Sequence, residues 1–93
     1  MADITLDSFV VRAVELFATD LDEETILMSI EQGAYYGMED TARRIWQLLE
    51  NRQQVAALCR QLAAEYNVAH DICQKDVLPF LEELRTEGLI VVE

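Results

Sequence analysis

The first half of the chain alternates apolar and polar residues with a period of two, which predicts β-strands. Residues 16–21 and 25–30 both alternate in this way, and the acidic run at 22–24 between them is short enough for a hairpin turn. Gly33 then stands where a short loop needs a left-handed residue, and residues 34–36 begin a third, aromatic strand. These signals predict an antiparallel meander of three strands whose last strand is a candidate edge.

The second half changes to the period of an amphipathic α-helix. Apolar residues at spacings of three and four predict a first helix from Thr41, a second over 55–66 and a third over about 71–86. Gly88 ends the third helix at a C′ position, and residues 89–92 form either a short final strand or an extended tail. The predicted fold class is α+β, with a three-stranded antiparallel sheet followed by three helices.

Length and charge narrow the function. The 93 residues predict a single domain over 1–93, in which residues 1–14 are either a flexible or a packed N-terminal segment. The balance of 18 acidic against 7 basic residues gives a net charge of −11, which repels the phosphate backbone, so no nucleic acid partner is expected. The apolar runs are far shorter than the roughly 20 residues of a membrane span. The start Met1-Ala2-Asp3 lacks a basic signal region, so we expect a cytoplasmic protein without a membrane partner.

The residue types that usually carry chemistry are scarce. Cys59 and Cys73 have no CxxC or Cys/His spacing around them, which favours buried free thiols. His70 is the only histidine, and its position favours a surface residue at a helix start. Adjacent carboxylates such as Glu82 and Glu83 are typical of a solvated helix face. We therefore expect no catalytic residues, no metal site and no cofactor.

Three motifs follow one another along the chain. A G-x-Y-Y-G strand at 33–37 precedes an A-R-x-I-W helix at 42–46, and a D-V-x-x-F-L-x-x-L helix occupies 76–84. This series resembles the PqqD-like family, whose members are recognition elements for ribosomally synthesised and post-translationally modified peptides (RiPPs). The resemblance covers about residues 16–89. The Tyr-Tyr-Gly motif is most similar to the corresponding motif in the stand-alone leader-binding proteins of lasso-peptide clusters.

The resemblance implies a winged-helix-like domain that performs no chemistry. Such a domain binds the leader of a precursor peptide and delivers it to a partner enzyme, which in the lasso branch is a leader peptidase. The alternative within the family is a PqqD-type peptide chaperone for a radical enzyme, in pyrroloquinoline quinone or related RiPP maturation. In the family the leader adds as a fourth strand beside the third, in a groove between that strand and the last helix.

The implied peptide-binding residues lie on the third strand and on one arc of the last helix. They are Ala34, Tyr35, Tyr36 and Gly37 on the strand, and Cys73, Asp76, Val77, Phe80, Glu83 and Leu84 on the helix. Backbone groups of the strand would supply affinity, and side-chain pockets would supply selectivity. We expect the Phe80 side of the arc to face the groove with Asp76 and Glu83 as an acidic rim, while the rest of the arc is core.

Two alternatives come from other classes of protein. Asp7-Ser8 is similar to the Asp-Ser of acyl carrier proteins, which are also small and acidic and bear a phosphopantetheine on that serine. The predicted strands contradict the all-helical bundle of a carrier, and a phosphopantetheine mass on Ser8 would decide for it. A winged-helix DNA binder is the second alternative, which salt-sensitive retention on DNA would reveal.

Overall fold

A computed structural model describes residues 3–93, and this part of the chain forms six strands and three helices. In chain order these are β1 (Phe9–Arg12), β2 (Leu16–Leu21), β3 (Glu24–Ser29), β4 (Ala34–Glu39), α1 (Asp40–Leu48), β5 (Gln53–Gln54), α2 (Val55–Tyr66), α3 (His70–Thr86) and β6 (Ile90–Val92). Met1 and Ala2, on which the absence of a signal region partly rests, lie outside the described residues. None of the helices in residues 3–93 is long and apolar enough to cross a lipid bilayer.

The predicted meander is the sheet formed by β2, β3 and β4, here called the hairpin sheet. β3 is the central strand and pairs antiparallel with β2 on one side and with β4 on the other. In this register Ser29 of β3 lies opposite Leu16 of β2 and opposite Ala34 of β4. β4 begins at Ala34, as predicted, and continues to Glu39. The predicted three-stranded antiparallel sheet is thus confirmed, and β4 forms one of its edges.

The central strand buries its more polar face. Thr25 and Ser29 are only 3% and 2% exposed, whereas the apolar side chains on the opposite face of β3 are partly exposed. The Thr25 hydroxyl donates to Asp20 Oδ1 at 2.6 Å and accepts a hydrogen bond from Arg43 Nε at 3.0 Å. Ser29 Oγ accepts from the backbone N–H of Gln32 at 3.2 Å. Because both hydroxyls have partners, their burial costs little.

A second, smaller sheet joins the two ends of the described chain. β1 lies between β5 and β6, and Val10 on β1 is fully buried. The Arg12 side chain donates to the Trp46 carbonyl from Nε at 2.9 Å and from Nη2 at 2.6 Å, and its guanidinium lies 4.6 Å from the centre of the Trp46 ring. The sequence pattern did not predict β1 or β5. For residues 89–92 it allowed either a short strand or an extended tail, and the structure shows the strand β6.

The three predicted helices are present, and α2 and α3 end at the predicted positions. Asn67 ends α2 in the left-handed region at φ 54°, and Gly88 follows α3 with φ 74° and donates its N–H to the Arg85 carbonyl. The helices pack with the hairpin sheet and the small sheet around one core. Its fully buried large side chains are Val10, Leu27, Leu49, Val55, Leu58, Leu62, Leu81, Leu89 and Ile90. The predicted α+β class, with a three-stranded sheet followed by three helices, is confirmed.

The turn between β3 and β4 depends on the left-handed backbone of Gly33. This residue has φ 63°, and a Cβ atom built on it would meet no atom within 4 Å. A Gly33→Ala variant should therefore lose stability only through backbone strain, by about 1 kcal/mol. Urea unfolding of the two proteins measures the difference. An unchanged free energy of unfolding would show that the turn does not require this conformation.

An ion pair between α1 and α2 makes the stability of the fold depend on pH. Glu65 accepts hydrogen bonds from Arg44 Nε at 2.8 Å and Nη2 at 2.7 Å, and the Arg44 bonds, followed by one from Gln61, lower the pKa of Glu65 to about 2. Because this pKa is depressed in the folded state, the pair stabilises the fold above the unfolded-state pKa of about 4.3 and loses that effect as the pH falls toward 2.

We expect Glu65→Gln to reduce this part of the acid dependence. Both side chains of the pair are about one-third exposed, so water screens them and the loss near neutral pH should be about 0.5–1 kcal/mol. Urea unfolding of both proteins at a series of pH values measures the effect. The two stability curves should converge as the pH falls, and curves that stay parallel down to pH ~2 would contradict the assignment.

Candidate functional site

β4 offers an unpaired backbone edge. It pairs with β3 along one side, and no strand within residues 3–93 pairs with its other side. The N–H and C=O groups along such an edge are available to a further strand. β4 is six residues long, so this edge extends for about 20 Å.

A groove of about 370 Å³ lies between β4 and α3. It combines the strand edge with an apolar floor and an acidic rim. Its lining residues are Tyr35, Tyr36, Gly37 and Met38 of β4, Ala42 of α1, Phe80, Glu83 and Leu84 of α3, and Glu87 and Leu89 beyond α3. Six of the ten predicted site residues are thus brought together in one groove.

The two tyrosines of β4 have different surroundings because side chains alternate along a strand. Tyr35 is 74% exposed, while Tyr36 is partly buried and donates its hydroxyl hydrogen to Glu87 Oε2 at 2.8 Å. This hydrogen bond, with burial and the charge of Glu87 adding to it, raises the pKa of Tyr36. The bond joins β4 to the residue directly after α3, and it therefore links the two walls of the groove at that end.

The α3 wall has a buried base and an exposed rim. Phe80 is partly buried and presents apolar surface to the groove, while Leu84, which is 3% exposed, belongs to the core and forms the base beneath it. Glu83 is exposed at the rim. Among the described residues its carboxylate takes part in no hydrogen bond or ion pair. The groove can therefore accept apolar side chains at its floor and a positive charge at its edge.

The other predicted site residues lie outside this groove. Cys73 and Val77 are 7% and 4% exposed and belong mostly to the core, while Asp76 is exposed. Asp76 and Val77 line two smaller cavities farther along α3, and Cys73 lines one of them. Ala34 begins β4 and lines none of the three cavities. The role of all ten residues in binding stays a prediction.

Four lining residues were not predicted, although each left a trace in the sequence. Met38 lies two residues after Tyr36 and therefore shares its face of β4. Ala42 is the smallest member of the apolar stripe of α1. Glu87 continues the helical spacing from Glu83 by one turn. No local pattern identifies Leu89, which reaches the groove only because the chain turns back at Gly88.

The end of β4 next to α1 is strongly acidic. Glu39 lies opposite Glu24 in the strand register. A hydrogen bond with Glu24, together with the negative charges of Glu24 and Asp40, raises the pKa of Glu39. Glu39 stands at the end of the edge strand and Glu24 at the start of the central strand, so a ligand that brings positive charge to this end of the edge relieves repulsion.

The groups considered for chemistry lie away from the groove. Burial raises the pKa of Cys59 to about 11, and it also raises the pKa of Cys73, whose thiol lies 3.6 Å from the Cys59 carbonyl. His70 is exposed at the start of α3, as predicted. Ser8 lies just before β1, where its Oγ accepts from the Thr5 N–H at 2.9 Å, and this is no helix start of the kind a carrier uses. In residues 3–93 no three His, Cys, Asp or Glu side chains are placed to hold a metal ion.

Comparison with known proteins relates this fold to a leader-peptide complex. The chain is similar to the solved structure of "TbiB1 in Complex with the TbiA(beta) Leader Peptide", with a TM-score of 0.80 and 26% sequence identity over 86% of this chain and 93% of that chain. No curated protein matches the chain. Residues 24–90 match the family described as "Coenzyme PQQ synthesis protein D (PqqD)". Since this match runs from the start of β3 to the start of β6, well over half of the sequence, the chain belongs to the PqqD family, as the three motifs predicted.

Proposed function

We propose that this protein binds the leader segment of a ribosomally made precursor peptide as a fourth strand of the hairpin sheet. The observation that carries the proposal is the groove, in which an unpaired strand edge and an apolar helix face lie on opposite walls. The similarity to a protein solved in complex with a leader peptide supports it independently.

Strand addition explains both affinity and selectivity. The backbone of β4 forms hydrogen bonds with any extended peptide, so this part of the binding energy is independent of the peptide sequence. Alternate side chains of the added strand then point to the same side as Tyr36, toward Phe80 and Leu84. An apolar residue at one of these positions is the anchor, because an apolar side chain buried in a pocket contributes most to such interfaces.

Charge favours a leader with basic residues near its apolar anchor. The protein carries a net charge of −11, and Glu83 stands unpaired among the described residues at the groove rim. At the end of β4 a hydrogen bond with Glu24 and the negative charges of Glu24 and Asp40 act on Glu39 and raise its pKa. Lys or Arg side chains of the leader would meet these carboxylates, so binding should weaken as salt screens the attraction.

The protein acts as an adaptor, and the chemistry belongs to a partner enzyme. Both cysteines are buried with raised pKa values, and the single histidine is exposed at the start of α3, away from the groove. Binding the leader raises the effective concentration of the precursor at the partner without a new reaction. The Tyr-Tyr-Gly motif of β4 is most similar to that of the lasso-peptide branch, and it favours a leader peptidase as that partner. The pathway would be cytoplasmic and would need no cofactor on this chain.

A second candidate is a peptide chaperone for a radical enzyme of pyrroloquinoline quinone or related RiPP maturation. The description of the matched family favours it, because PqqD is named for that pathway. Both candidates use the same groove and differ in the enzyme that receives the peptide.

The experiment first searches the genes beside this protein's gene for a short precursor peptide, whose leader we call the cognate leader, and for a peptidase, which we call the neighbouring peptidase. The whole precursor is incubated with the neighbouring peptidase alone, with this protein alone and with both, and mass spectrometry follows cleavage. We expect fast cleavage only with both proteins. Cleavage by this protein alone would contradict the adaptor role, and equal rates with and without it would exclude delivery to a peptidase. The same design with a neighbouring radical enzyme tests the second candidate.

A further inference from the structure

A second apolar cavity lies at the other end of α3. It has a volume of about 310 Å³ and lies where the end of α2 meets the start of α3. Three apolar side chains on its walls are unusually exposed, since Tyr66 is 44%, Val68 43% and Ile72 54% accessible. We call this space the α2–α3 cavity. An apolar surface of this kind commonly marks a binding site.

The α2–α3 cavity and the groove lie on the same side of α3 as a smaller cavity that shares wall residues with both. This third cavity has a volume of about 200 Å³ and lies between them. It shares Thr41, Asp76 and Val77 with the α2–α3 cavity, and it shares Ala42 and Phe80 with the groove. The three spaces therefore follow one another along α3, from the end beside Glu87 to the end beside Ile72, and we call this series the track.

The strand edge leads into this track. β4 ends at Glu39, and Thr41, two residues later, lines both the middle cavity and the α2–α3 cavity. A peptide that pairs along the whole of β4 and continues in the same direction thus arrives at the middle cavity.

We propose that the peptide bound at β4 continues along α3 and places a second apolar side chain in the α2–α3 cavity. The inference rests on the proposed function, because the track matters only if a peptide occupies the groove. It adds to that function a second anchor and hence a sequence requirement on the peptide.

The spacing of the two anchors follows from helix geometry. Ile72 and Leu84 belong to the same helix and are separated along its axis by about 18 Å. An extended peptide covers this distance in about five or six residues. The peptide should therefore carry two apolar anchors at that separation.

The chemistry of the walls defines the class of side chain. Apart from Thr41 and Asp76, the α2–α3 cavity is lined by aliphatic and aromatic side chains and by the buried Cys73, and it suits a Leu, Ile, Met or Phe side chain. Asp76 stands at the passage between the cavities, and its carboxylate takes part in no hydrogen bond or ion pair within the described chain. A Lys or Arg between the two anchors would meet this carboxylate.

The test introduces a charge into the second cavity without touching the groove. Ile72→Asp and Val68→Asp change exposed side chains, so the fold should tolerate them. Ile30→Asp is the matched control, since Ile30 is 60% exposed and lines none of the three cavities. Titration with the cognate leader should show a loss of affinity of about tenfold in both cavity variants and none in the control. An alanine scan of the leader should show two sensitive apolar positions, and Ile72→Asp should remove the sensitivity of one of them.

The outcomes separate this inference from the proposed function. If both cavity variants bind like the wild type while Phe80→Ala binds weakly, the second anchor is wrong and the groove stands. If Phe80→Ala and the β4 variants described below also bind like the wild type, the proposed function itself fails. Self-association in the absence of peptide that Ile72→Asp abolishes would show that a second copy occupies the cavity, and it would overturn the inference.

Discussion

A proline on the free edge of β4 is expected to abolish binding of the cognate leader while the fold is kept. Along an edge strand the N–H groups alternate between the paired neighbour and the open side. Tyr35 and Tyr36 are consecutive, so one of them donates toward β3 and the other toward the open edge. Proline has no N–H, and at the open position it removes a donor that only an added strand uses.

The pair of variants Tyr35→Pro and Tyr36→Pro contains its own control. One substitution breaks a hydrogen bond to β3 and should lower the melting temperature, and the other should leave the hairpin sheet paired. Calorimetric titration is then done on the variant that stays folded. Tyr→Ala at the same position keeps the N–H and separates loss of the side chain from loss of the donor. A folded proline variant that binds with wild-type affinity would contradict strand addition.

Replacement of Phe80 by alanine should weaken leader binding by about 2 kcal/mol, or roughly thirtyfold. Phe80 lines both the groove and the middle cavity and is only partly buried. Its ring therefore has free surface that a peptide side chain can cover, and truncation removes that contact.

The neighbouring Leu81 supplies the control for Phe80. Leu81 is fully buried in the core, so Leu81→Ala should cost about 2–5 kcal/mol of stability. Binding to whatever fraction remains folded should be close to normal. Calorimetry and urea unfolding of both variants give the two readouts. Unchanged affinity in Phe80→Ala, or a loss of stability as large as that of Leu81→Ala, would assign Phe80 to the core instead of the binding surface.

The elements that the sequence predicts are those with local signals. Residues 16–21 and 25–30 alternate, Gly33 marks the turn, and the helices carry apolar residues at spacings of three and four. β1 and β5 have four and two residues, too few for a pattern, and they pair only because the helices bring distant parts of the chain together.

The orientation of β3 shows a second limit of local patterns. Ile26 and Met28 make one face of this strand more apolar, yet the fold buries the face with Thr25 and Ser29. Hydrophobicity alone favours the opposite choice. The partners that make burial of these hydroxyls acceptable include Arg43, which stands on a different element and is brought near by the fold.

The candidate site divides in the same way. Helical periodicity placed Phe80, Leu84, Val77 and Cys73 on one arc, but it could not decide which part of the arc another element covers. The fold buries Cys73 and Val77, and Phe80 lines the groove. The hydrogen bond from Tyr36 to Glu87 joins residues 51 positions apart, so no local pattern could reveal it.

The most direct test of strand addition is the amide spectrum of the protein with and without the cognate leader. Two-dimensional NMR of the labelled protein reports a shift for each backbone N–H, and hydrogen exchange of the same sample reports its protection. We predict that the largest shifts cluster at residues 32–38, and that alternate β4 amides exchange more slowly in the complex because they donate to the added strand. Shifts that cluster on α2, with β4 exchange unchanged, would contradict the account.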